Sequence, residues 1–354
     1  MNEQTWDAVP FGPDLAQDAL ALCQRTWGAV EITDARYQRW QYEENPAGPA
    51  FSTFARARDG GRLVGQFGAV PLRFIIDGEE RVATLALNVV TDADHRHRGV
   101  FVGLGRAADE RMAAESIAHA WALPNENSFP GFIRHLGYEY IGDVPLVVRP
   151  VNVRGLVSRR LPVAGVGELA AVLARALAPA LPDIVPPAPG IDISRIDRFG
   201  DEFDAFWQRI RGRHGVVLVR DARYLNWRFR DIPIRRYECF AASEGGEATG
   251  YVSLRLAEIA GMKAGLIVDF VTANERAGEA LLSQALAFFS DHDIDLLASL
   301  MLPHTCEYRL LRRARFWPLP RPLLPQRFRV VARGDAAFRD LSSWFLTMGD
   351  YDVV

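Results

Sequence analysis

The run TDADHRHRGVF, residues 91–101, follows an apolar segment ending at Val90 and concentrates groups that could hold an anion. If a helix begins at Gly99, its first N–H groups lack intrahelical partners and point back at this loop. Together with the helix dipole they attract negative charge. Gly99 has no side chain to block a phosphate, and Arg96 and Arg98 supply guanidinium groups suited to bidentate contacts. A glycine at a helix start is by itself more often a cap than a ligand site, and a charged loop can simply be solvated. His95 and His97 form an H-x-H pair, but zinc would need two further ligands that the sequence does not supply, so no metal is expected. His304 and Cys306 invite a thiol-nucleophile reading and lack a visible third partner.

The elements that must position this loop can be read from periodicity. Helices are expected near 14–27 and 34–43, strands near 51–57, 62–69, 72–77 and 80–90, and a helix from about 99 to 118. A strand at 119–123, a helix at 127–136 and strands at 138–149 follow. Successive strands joined by short turns, then strand–helix–strand, predict an α+β fold with a mixed sheet rather than a regular doubly wound one. A helix is also expected at 336–345.

The chain repeats itself. DARYQRWQYEENP at 34–46 and DARYLNWRFRDIP at 221–233 share six of 13 positions. The same order of landmarks follows each copy. Gly65 corresponds to Gly250, LNVVT at 87–91 to DFVT at 269–272, and Pro124 to Pro303. Tandem duplication is the reading, with residues 1–150 as a first domain and 195–354 as a second. Residues 151–194 would be a linker, helical at 167–181 and then broken by the prolines of PDIVPPAPG, 182–190.

With these residues in view, the chain resembles the GNAT superfamily of CoA-dependent N-acyltransferases. The family's Arg/Gln-x-x-Gly-x-Gly/Ala motif corresponds to Arg96-His97-Arg98-Gly99-Val100-Phe101, departing from it at Phe101. The family's next motif, an asparagine, a small residue three positions on and a helix ending in Gly-aromatic, corresponds to Asn125, Ser128, Gly137 and Tyr138. The resemblance covers 14–149 well and 195–333 more weakly. It implies acetyl-CoA or another acyl-CoA as cosubstrate, with the pyrophosphate over residues 98–102. It also implies that two parallel strands splay apart, so that backbone near Asn88, Val89 and Val90 receives the pantetheine arm, opposite Asn125 and Ser128. In the second half the arginine-rich loop is lost, although Gly278 is kept. His304 replaces the asparagine and Arg315 stands where Gly137 does, so this copy is expected to be degenerate and not to hold CoA.

Acyl transfer to an amine needs a neutral amine, a donor to the oxyanion and a proton for the leaving thiolate. Base candidates are Glu126, Asp92 and a water held by Asn88. The position where the family often has a tyrosine proton donor is Ile133, beside Phe132, which leaves Tyr140 as the candidate phenol. Trp40, Tyr42, Trp227 and Arg228 of the repeated element are candidate acceptor contacts, although their helical spacing also fits plain core packing. The expected activity is transfer of an acetyl or short acyl group to a primary amine of a small molecule or amino sugar. The alternatives are a non-catalytic acyl-CoA-binding module and an aminoacyl or peptidyl transferase of the related double-GNAT fold acting on a cell-wall precursor.

Composition bounds these readings. There are 41 Lys and Arg against 44 Asp and Glu, which does not mark a nucleic-acid binder. Lys263 is the only lysine, leaving a single candidate for lysine chemistry. Three scattered cysteines, no leader-like start and no apolar run of ~20 residues predict a reduced, cytoplasmic protein without a membrane span. Oligomeric state is not legible.

Overall fold

A computed structural model describes residues 5–28, 30–152, 190–259 and 261–351. They form two compact units, neither of which is one stretch of chain. The first comprises Met1–Asp143, Asp231–Arg235 and Arg329–Ser343, and the second Val144–Arg230, Arg236–Phe328 and Trp344–Val354.

In chain order the first unit contains β1 (Trp6–Pro10), α1 (Ala16–Trp27), α2 (Ala35–Tyr42), β2 (Thr53–Ala57), β3 (Leu63–Ile76), β4 (Glu79–Thr91), α3 (Val100–Ala114), β5 (His119–Ala122), α4 (Phe129–His135) and β6 (Glu139–Asp143). The second holds β7 (Leu146–Pro150), β8 (Ile191–Arg195), α5 (Asp201–Ile210), β9 (Val216–Leu218), α6 (Ala222–Phe229), β10 (Glu238–Glu244), β11 (Glu247–Ile259), β12 (Met262–Thr272), α7 (Glu275–Ser290), β13 (Leu296–Leu300), α8 (Cys306–Arg313) and β14 (Trp317–Pro318). Then β15 (Arg329–Arg333) returns to the first unit and β16 (Trp344–Phe345) to the second.

The mixed sheet of the first unit runs β1-β2-β3-β4-β5-β15-β6 and that of the second β14-β7-β13-β12-β11-β10-β8. Each sheet therefore contains a strand from the other half of the sequence. β15 pairs antiparallel with both β5 and β6, and β7 with both β13 and β14. The contiguous division at 150 and 195 differs from this arrangement because strand pairing, unlike composition, is indifferent to sequence distance.

The α+β mixed-sheet architecture is as the sequence implies, with three local differences. One strand, β3, runs through Pro71, where two were expected. A proline is tolerated in a strand where its missing N–H is not needed by the ladder, and Asn45 Nδ2 donates to the Pro71 carbonyl at 2.8 Å. Trp6–Pro10 is an unanticipated strand pairing with β2. No α-helix forms at 336–345: the Asp340 carboxylate accepts from Ser342 N at 3.0 Å and Ser342 Oγ at 2.7 Å, turning the chain into a short 3-10 segment and β16. The helix read at 167–181 lies outside the described residues.

The repeat is structural. α2 and α6 are capped by Asp34 and Asp221, whose carboxylates accept from Arg36 N and Tyr224 N, both at 2.8 Å. Tyr37 packs on Trp40 at 5.1 Å and 46°, and Tyr224 on Trp227 at 5.7 Å and 45°. In the ladders, Gly65 faces Thr91 and Gly250 faces Thr272. Gly137 and Arg315, matched by sequence order, have φ of 68° and 66°. One core packs α3 and α4 on the first sheet, and another packs α7 and α8 on the second.

Candidate active site

β4 and β5 pair in parallel only from Ala83–His119 to Leu85–Trp121, and then diverge. Along the diverging stretch β4 is bulged: Gly68 faces Leu87 and Gln66 faces Val90, so Asn88 and Val89 oppose the single residue Phe67. Asn88 has φ +49°, a left-handed conformation that asparagine tolerates better than most residues. The extra residue takes backbone groups out of the ladder, so they need another partner.

The fork opens into a cleft of about 750 Å³. One wall is Val89, Val90 and Thr91, and the other is Asn125, Asn127 and Ser128. Its end is closed by Arg96, His97 and the start of α3. Gly99 caps that helix with φ +74° and no side-chain hydrogen bond to the helix amides, and a Cβ built there meets nothing within 4 Å. Helix-start N–H groups are thus left for a ligand. Arg96, His97 and Arg98 are exposed, and the two guanidinium groups have no ion-pair partner among the described residues. Arg98 does not line the cleft; its carbonyl accepts from Trp6 Nε1 at 3.2 Å, which anchors the loop to β1.

Phe101 stands where the family prefers a small residue. Its ring is 6.0 Å from Phe67 and 5.4 Å from Phe132, and a Cβ at Gly131 would come within 2.5 Å of it. The bulk of Phe101 is accommodated by the missing side chain on α4, not by the loop that would hold phosphate. On the opposite wall, Asn125 Oδ1 accepts from Asn127 N and Ser128 N, both at 3.0 Å, in a turn that leads into α4.

Of the expected cofactor residues, Val89, Val90, Arg96, His97, Gly99, Val100, Phe101, Asn125 and Ser128 all line one cleft. The expected catalytic and acceptor residues are dispersed. Glu126 does not line it; its carboxylate accepts from Arg329 Nη2 at 2.7 and 2.8 Å. Tyr140 is 45% exposed and packs edge-on to Phe129. Asn88 Nδ2 is committed to Gln41 and Tyr42. Trp40 and Tyr42 are buried in the first unit, and Trp227 and Arg228 in the second, where Arg228 Nε donates to the Gly349 carbonyl at 2.9 Å. Phe132 is buried and Ile133 packs against the same core.

Sequence reasoning missed the part of the cleft made by Thr26 and Trp27 at the end of α1, by His135 on α4 and by buried His95, whose Nδ1 lies 4.0 Å from an Asp92 carboxylate oxygen. A helix near 14–27 was expected, but nothing in its sequence says which sheet edge it approaches.

The first unit's segment has a counterpart among known families. Residues 11–141 match the family described as acetyltransferase (GNAT) domain. The particular relatives are found in structure: no curated protein matches the sequence. A probable N-acyltransferase from Enterococcus faecalis V583 is 14% identical, with a TM-score of 0.61 over 93% of this chain and 72% of that one. A GCN5-related N-acetyltransferase from Anabaena variabilis is 13% identical, with a TM-score of 0.64 over 93% and 72%. Saccharomyces cerevisiae N-myristoyltransferase, solved with bound myristoyl-CoA, is 13% identical, with a TM-score of 0.61 over 94% and 83%. At these identities the likeness is one of fold. No helix among the described residues is long and apolar enough to cross a membrane.

Proposed function

We propose that the cleft of the first unit binds one acyl-CoA, acetyl-CoA or a short-chain relative, and that the chain transfers its acyl group to a primary amine of a small molecule or amino sugar. The observation that carries this reading is the open fork ending on an uncapped helix start. Backbone groups from the Val89–Thr91 wall and amides after Gly99 need partners, and an extended amide-containing arm ending in a pyrophosphate supplies both. Arg96 adds charge where the anion would sit.

In the reaction the thioester C–S bond breaks and a C–N bond forms; the amine loses a proton and the thiolate gains one. The cleft is open to solvent, and Glu126 and Tyr140 are engaged elsewhere, so water carries these protons and the chain contributes orientation. The test is calorimetry with acetyl-CoA, followed by thiol release from acetyl-CoA over a panel of primary amines. One site per chain and thiol release with at least one amine are expected. Absence of binding removes the transferase reading, and tight binding without turnover on any acceptor leaves a non-catalytic acyl-CoA-binding module.

A further inference from the structure

Behind the bulge of β4 lies a cluster of polar side chains that the reaction as described does not use. Asn88 Nδ2 donates to Gln41 Oε1 at 2.7 Å and to Tyr42 Oη at 3.0 Å. Gln66 Nε2 donates to Tyr42 Oη at 2.8 Å and to the Asn88 carbonyl at 3.2 Å. Cys23 Sγ donates to Gln66 Oε1 at 3.5 Å, and burial pushes that thiol up to about 12, so it stays a neutral donor. Gln41, Tyr42 and Gln66 are each at most 2% exposed. Buried polar groups in this number are costly unless each is satisfied, and satisfied they fix a single geometry. Here the geometry fixed is that of Asn88, a non-glycine residue in a left-handed conformation, immediately before Val89 and Val90 on the cleft wall.

The second copy supplies an independent comparison. The positions matching Gln41, Tyr42, Gln66 and Asn88 are Arg228, Phe229, Tyr251 and Asp269. The neutral amides give way there to charged Arg228 and Asp269, the latter accepting from Tyr251 Oη at 2.6 Å, and of Asn88 and Asp269 only Asn88 is left-handed. The left-handed bulge and the amide cluster occur together in the unit whose fork is open.

We propose that Gln41, with Tyr42 and Gln66, is a positioning residue. It clamps the Asn88 side chain and thereby aims the backbone N–H of Val89, the neighbouring residue that the bulge takes out of the ladder, at the thioester carbonyl. This assigns the repeated α2 element of the first half a role behind the cleft wall, not contact with the acceptor. The inference rests on the acyl-CoA reading above and deepens it.

The experiment uses the whole chain and acetyl-CoA labelled with ¹³C at the acetyl carbonyl. Infrared difference spectra report the hydrogen bonding of that carbonyl, and calorimetry reports the affinity for free CoA, which lacks it. Gln41→Leu removes the nearer of the two acceptors of the Asn88 amide, and Asn88→Gly permits the left-handed backbone while removing the clamp. In both, the bound carbonyl band is expected to move toward its position in buffer. Turnover with any accepted amine is expected to fall about tenfold, the loss of one well-placed hydrogen bond, while affinity for free CoA changes less than about threefold. Gln41→Glu keeps an oxygen for Asn88 to donate to and is expected to retain the wild-type band. The proposal is overturned if the band does not move in either clamp variant, or if affinities for CoA and acetyl-CoA fall together, which is the mark of a purely structural role. If Gln41→Leu does not fold, Asn88→Gly decides the matter. A wild-type protein that binds neither ligand overturns the acyl-CoA reading itself, a result distinct from a bound but unshifted carbonyl.

Discussion

In the first unit β4 and β5 pair over three residues and separate, and in the second β12 and β13 do the same, from Ala264–Leu296 to Leu266–Ala298. In the first unit the opening beyond the pairs is a cleft. In the second it is filled by the chain itself. Thr347 bridges to Met301 just past β13, and its hydroxyl donates to Asp269 on β12 at 2.9 Å. His304, at the position of cleft residue Asn125, meets the Trp344 carbonyl through Nε2 at 2.7 Å. Arg220 joins Asp269 and Asp350 below them, the latter at 2.7 Å. The helix starts differ in the same way. Gly99 leaves the amides of α3 uncapped, whereas Asn274 caps α7, accepting from Ala277 N at 2.9 Å. Gly278, which sequence order suggested as the surviving cradle glycine, lies a turn inside α7. A Cβ there would fall 2.4 Å from Leu310, so it serves helix packing and corresponds to Gly103. One duplicated framework thus holds an open fork and a fork closed by its own tail. The difference lies in what satisfies the polar groups that splaying exposes.

This contrast can be broken most forcefully at Arg220. Arg220→Met leaves the carboxylates of Asp269 and Asp350 buried without their cation, and is expected to cost about 3–5 kcal/mol in urea unfolding. Intact stability would mean that the charged network does not hold the second fork shut. Next in size is a paired substitution. Gly99→Glu puts a carboxylate in open space before α3 and should weaken acetyl-CoA binding on the order of 100-fold by like-charge repulsion, with circular dichroism unchanged. Gly278→Ala should do the reverse, losing about 1–3 kcal/mol of stability to overpacking with unaltered affinity. If both variants lose binding equally, the two helix starts are not functionally different.

A smaller effect is expected from Arg329→Gln. This side chain comes from β15 of the C-terminal sequence, holds Glu126 and lies 4.6 Å from the Phe129 ring centroid, bracing the Asn125–Ser128 wall. Because Glu126 is largely exposed, the pair is worth only about 0–1 kcal/mol, so KM for acyl-CoA should rise by no more than about fivefold with kcat nearly unchanged. The smallest is a pH effect confined to the second unit. Burial, reinforced by His304, Arg213 and Arg220, lowers the His214 pKa from 6.5 to about 4. The folded state resists protonation there, so the stability concerned is fully present above pH 6.5 and is lost as pH falls toward 4. Melting temperature should decline over that window, and His214→Leu should flatten the decline; an identical slope in the variant would remove His214 as its source.

Much of the cleft lining was legible because it depends on local chemistry. Gly99 before a helix, arginines in the preceding loop and Asn125 three residues before Ser128 are short-range patterns, and the structure gathers them around one cleft. Glu126 and Tyr140, named as catalytic candidates, do not line that cleft, because side-chain direction there depends on β15, some 200 residues away. Arg329 is only another arginine in a chain that has many. The acceptor candidates Trp40 and Trp227 came from a pattern equally suited to core packing, and burial is where the fold puts them.

The amino-acid sequence alone determined the duplicated order of elements, the mixed α+β character and the arginine-bearing loop before an uncapped helix start, since these follow from periodicity, capping and glycine placement over a few residues. Which fork stays open, which strands trade units and which polar groups brace the bulge were decided only by tertiary structure. Each depends on a partner distant in sequence satisfying a buried hydrogen-bonding group, and local pattern carries no record of that partner.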